Sequence, residues 1–106
     1  MPLPPGLRIE VSDVFTEAHQ NYLDGLDFLN EQDFQKALYS FQSAIYLDST
    51  SYEAYFLMGY LYEQMDERDF AIESYEAVLD LTEDADGEIP ERRDTIKRLA
   101  ALKQES

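Results

Sequence analysis

Residues 52–81 read YEAYFLMGYLYEQMDERDFAIESYEAVLDL. In the first half Tyr55, Phe56, Met58, Gly59, Tyr62 and Met65 recur at intervals of one, three and four. In the second half Phe70, Ala71, Ile72, Tyr75, Val78, Leu79 and Leu81 do the same. Side chains three and four apart share one face of an α-helix, so each half predicts an amphipathic helix with a stripe to bury. The polar break Asp66-Glu67-Arg68-Asp69 between them predicts a turn, and the two helices form a hairpin.

Working back from this stretch, the residues from Asp13 to Ser51 predict a second hairpin of the same lengths. Val14, Phe15, Ala18, Tyr22, Leu26 and Leu29 mark its first helix, with Ser12 as the expected N-cap. After the break at Asn30-Glu31-Gln32-Asp33 come Phe34, Ala37, Leu38, Phe41, Ala44, Ile45 and Leu47, closed by Asp48-Ser49-Thr50-Ser51. At an offset of 34 residues Leu23 meets Leu57, Gly25 meets Gly59, Ala37 meets Ala71, Ser40 meets Ser74 and Leu47 meets Leu81. Tyr22, Phe28 and Phe41 meet Phe56, Tyr62 and Tyr75. A glycine inside a helix costs about 1 kcal/mol against alanine, so Gly25 and Gly59 predict a close helix–helix approach as compensation.

This pattern resembles the tetratricopeptide repeat family, whose period is about 34 residues and whose signature is W-x2-L-G-x2-Y, then A-x3-F, then proline. The second unit reads Tyr55-x2-Met58-Gly59-x2-Tyr62 with Ala71-x3-Tyr75. The first reads Asn21-x2-Asp24-Gly25-x2-Phe28 with Ala37-x3-Phe41-x2-Ala44. Polar residues at two leading positions of the first unit suit a terminal repeat. Ser49 and Glu83 stand where the proline would fall. The resemblance implies an all-α fold of about five helices, two antiparallel hairpins of an α-solenoid segment. The expected organisation is an N-terminal arm at 1–11, the hairpins at 12–87, and a capping helix at 88–106 that opens at Pro90 and carries Ile96, Leu99, Ala100 and Leu102.

Among 106 residues, 23 acidic against 8 basic side chains set a formal net charge of −15. Such a charge repels phosphate backbones and anionic surfaces, which argues against nucleic acid and favours basic partners. The distribution is uneven: residues 1–87 hold 19 acids and 3 bases, residues 88–106 hold 4 acids and 5 bases. Cysteine is absent, which removes thiolate nucleophiles and Cys-ligated zinc. No run of about 18 apolar residues predicts a membrane span, and the expectation is a cytoplasmic protein without membrane insertion. His19 is the sole histidine and sits in no metal or triad motif; G-x-G-x-x-G, P-loop and H-E-x-x-H patterns are all missing. The acidic linker Glu83-Asp84-Ala85-Asp86-Gly87-Glu88 does not have the ligand spacing of a calcium loop. An enzyme is not expected, nor a cofactor or metal.

In the family, the first helix of each hairpin lines a groove that holds a partner segment. Helical spacing then places His19, Tyr22, Leu26, Leu29 and Asn30 in that groove from one hairpin, and Glu53, Phe56, Tyr60, Glu63 and Gln64 from the next. Tyr22, Leu26, Phe56 and Tyr60 stand where related chaperone-binding grooves carry the lysines and asparagines of a carboxylate clamp, so acidic C-termini are not the expected ligand. The expectation is a protein-binding adaptor or assembly chaperone whose partner brings an apolar segment with Lys or Arg beside it. A secretion-type chaperone masking an aggregation-prone client, and a structural homo-oligomer such as a homodimer whose groove is filled by a neighbouring chain, are the alternatives. Phe28, Phe34, Phe41, Tyr62, Phe70 and Tyr75 are expected in the core. The stripe Ile96, Leu99 and Leu102 is expected to cover Val78 and Leu81, with Arg92, Arg93, Lys97 and Arg98 as dispensable surface charges; the alternative is that this basic helix itself docks an acidic partner.

Overall fold

A computed structural model describes the backbone of residues 10–104 and the side chains of residues 16–104. Five helices follow one another: α1 (Glu10–Asn30), α2 (Phe34–Leu47), α3 (Tyr52–Gln64), α4 (Arg68–Leu81) and α5 (Pro90–Gln104). α1 pairs with α2 and α3 with α4; α3 also packs on α2, while α5 packs chiefly on α4 and touches α3.

The two hairpin turns are built alike. Gln32 and Asp66, 34 positions apart, both adopt the left-handed conformation, with φ of 61° and 59°. The following amides reach back, Asp33 N–H to the Phe28 carbonyl at 2.9 Å and Glu67 N–H to the Tyr62 carbonyl at 2.8 Å, so orphan carbonyls at each helix end are satisfied. Asp33 caps α2 by accepting from the Lys36 amide. The turn between hairpins is held by Asp48, whose carboxylate accepts from the Thr50 amide and hydroxyl, and by Ser51, whose hydroxyl accepts from the Ala54 amide at the start of α3.

Each mid-helix glycine lies under an aromatic ring of its partner helix. A Cβ at Gly25 would come within 2.6 Å of the Phe41 ring, and one at Gly59 within 2.5 Å of the Tyr75 ring. Phe41, Tyr75, Ala37 and Ala71 are themselves fully buried. The core divides into two clusters. One joins Ala37, Leu38 and Phe41 to Ala54, Met58 and Leu61; the other joins Ala71 and Tyr75 to Leu99 and Leu102 of α5.

Several expectations need correction. α1 begins at Glu10, so Ser12 lies inside the helix rather than capping it, because Glu10 and Val11 are compatible with helix and let it start earlier. Phe70 is half exposed, stacked on Tyr62 at the rim rather than sunk in the core. On α5 the buried stripe is Thr95, Leu99 and Leu102, while Ile96 is half exposed. The helix is rotated so that positions 95, 99 and 102 share the inner face. It covers Tyr75 but leaves Leu81, at the end of α4, 39% exposed. Val78 is fully buried.

The basic residues of α5 are not equivalent either. Arg92 donates to the Leu79 carbonyl and the Thr82 hydroxyl, both at 2.9 Å, and so closes the C-terminal end of α4. Arg98 binds Glu63. Arg93 and Lys97 are exposed, as expected, Arg93 pairing with Glu88.

Candidate functional site

Of the ten groove candidates, His19, Asn30 and Gln64 are exposed and the other seven are half-buried. Tyr22, Leu26 and Leu29 pack against the first core cluster and Phe56 against the second, so these four also support the fold. Tyr22 tilts against Phe41 with ring centroids 5.8 Å apart, and Phe56 against Tyr75 at 5.9 Å. One face of the Tyr22 ring thus seals the α1–α2 contact.

His19 stacks on Tyr22 with centroids 6.3 Å apart. Together with Ala18, Ala44, Asp48, Thr50, Ser51 and Glu53 they line an open recess of about 350 Å³ between α1 and the start of α3. Burial first, then the charges of Glu53 and Glu91, hold the hydroxyls of Tyr22 and Tyr52 above their ordinary range, so α5 adds negative field to this corner.

Tyr60 and Glu63 have a different setting. The buried Tyr75 hydroxyl donates to Glu63, Arg98 donates to the same carboxylate oxygen at 2.9 Å, and the Arg98 guanidinium lies 5.6 Å from the Tyr60 ring centroid. Helix α5 thus fills this end of the face. Tyr52, Asp48, Arg98 and Glu91 were not among the candidates. The repeat offset pairs Tyr52 with Ala18, which gives no hint of an aromatic site, and Arg98 and Glu91 reach the face only through the packing of α5.

Residues 52–84 match the model of the tetratricopeptide repeat family. Those residues form a tetratricopeptide repeat. Two solved structures share the fold, a crystal structure of the MamA protein (TM-score 0.72, 24% identity, 85% of this chain and 45% of that one) and another of MamA (TM-score 0.61, 24% identity, 85% and 58%). The chain spans about half the length of those proteins. Among curated proteins none matches the sequence. Tetratricopeptide repeats are protein-interaction scaffolds. No described helix is long and apolar enough to cross a membrane.

Proposed function

We propose that this tetratricopeptide repeat protein is a non-catalytic adaptor or assembly chaperone that holds a segment of another protein against the face made by α1, α3 and α5. The observation that carries this reading is the open recess on that face, floored by a tyrosine and edged by Glu53 and Asp48. Tyrosine offers a large contact area at low entropic cost, and carboxylates steer a basic partner toward it. A segment with an apolar side chain and a neighbouring base fits these surroundings.

Photocrosslinking tests the reading without disturbing the core. A photoreactive side chain placed at exposed His19 or Gln64 is expected to trap the partner. At Tyr39 or Tyr46, which are 72% and 89% exposed on α2, it is expected to trap nothing. Crosslinks confined to Tyr39 and Tyr46 would move the binding surface to α2. Crosslinks from His19 to a second copy of the chain would make the occupant a neighbouring subunit.

A further inference from the structure

The face of α1, α3 and α5 brings a tyrosine and a glutamate together twice. At one end they are Tyr60 and Glu63, and the chain supplies the cation: Arg98 pairs with the glutamate and lies over the ring. At the other end they are Tyr22 and Glu53, beside the recess of about 350 Å³. There no described base forms an ion pair with Glu53, while Lys36, Arg93, Arg98 and Lys103 are all engaged in ion pairs elsewhere. Carboxylates in a partly desolvated concave site attract a cation more strongly than they would on an open surface.

We propose that the recess between α1 and α3 seats an arginine side chain of the bound partner, its guanidinium paired with Glu53 and laid against the ring of Tyr22. This rests on the reading that the face holds a partner segment, and it names the chemistry of that segment. Arginine fits better than lysine because its planar, weakly hydrated guanidinium both stacks on an aromatic ring and forks onto a carboxylate. The filled counterpart at Tyr60 and Glu63 uses the same residue. His19, parallel to Tyr22, extends the wall along which the stem of the side chain would lie.

The test is an amide-resolved NMR titration of the full chain with three probes: N-acetyl-arginine amide, its lysine counterpart, and N-acetyl-citrulline amide, which keeps the shape and drops the charge. The arginine probe is expected to shift amides within residues 18–22 and 48–54, and to bind about threefold tighter than the lysine probe and at least tenfold tighter than citrulline. Glu53→Gln is expected to weaken it about fivefold and Glu91→Gln about twofold, with Arg93→Gln neutral and circular dichroism unchanged in all three. Equal binding of citrulline, shifts centred elsewhere, or an unchanged affinity in folded Glu53→Gln overturns the seat. The two readings fail separately. Should the arginine probe bind as expected while photoprobes at His19 and Gln64 trap nothing, the seat stands and the partner reading falls. A trapped partner whose affinity ignores Glu53→Gln overturns the seat alone.

Discussion

Beneath the ring of Tyr75 there is no room for a methyl group at residue 59, and the same holds for residue 25 beneath Phe41. Replacing glycine by alanine inside a helix ordinarily stabilises by about 1 kcal/mol. Here overpacking opposes that gain with about 1–3 kcal/mol, since a buried ring cannot swing aside, and the expected net result is destabilisation. Urea denaturation of Gly59→Ala checks the sign, and Gly25→Ala with Phe41→Leu should recover part of the loss by replacing the ring with a smaller side chain. Tyr75 supports a second prediction. Burial first, and then its hydrogen bond to Glu63 and that carboxylate's charge, raise its hydroxyl far above the ordinary value of 10.0. The folded state therefore holds the proton more tightly than the unfolded one. The contribution is fully present below pH 10 and is lost as pH rises beyond it toward the folded value. Stability should fall above about pH 10, and Tyr75→Phe should flatten that slope while lowering stability at pH 7 by about 1 kcal/mol for the missing hydrogen bond.

Helix α5 joins the rest by three different devices. Leu99 and Leu102 enter the second core cluster, Arg92 closes the end of α4, and Arg98 ties Glu63 of α3. Because Arg92 meets a helix-end carbonyl and a buried hydroxyl, Arg92→Gln should lower stability by about 1–2 kcal/mol. Arg93 and Lys97 are exposed, so Arg93→Gln and Lys97→Gln should each change it by less than about 0.5 kcal/mol. Thermal melts of the three variants in one buffer separate a packed arginine from a solvated one. At the hairpin turns the left-handed residues are Gln32 and Asp66 rather than glycine. A glycine search over the sequence passes over both turns.

At the scale of the whole molecule, a chain with net charge −15 depends on apolar burial to offset its self-repulsion. Removing everything after Gly87 would strip Leu99 and Leu102 from Tyr75 and Ala71, a loss of roughly 3–6 kcal/mol by area bookkeeping. That is comparable with the total stability of a small domain, so the truncated chain is expected to be partly unfolded or aggregated. Analytical ultracentrifugation with circular dichroism checks it. A soluble monomer melting at the temperature of the full chain would show that the two hairpins stand without α5.

Helix number, hairpin pairing and the glycine–aromatic register were legible before any coordinates, because each rests on spacings of three, four or 34 along the chain. Intrahelical neighbours and repeat equivalents are local or periodic relations, and periodicity survives folding unchanged. The rotation of α5 was not legible. Ile96 and Thr95 are adjacent, and apolarity alone favours burying the isoleucine; packing on α4 buried the threonine instead. Nor could spacing show that Arg98, 35 positions from Glu63, would take one end of the candidate face, or that Glu91 would add its charge to Tyr22 at the other. Those contacts join helices whose relative placement depends on the sum of many packing contacts, and no single stretch of sequence encodes that sum.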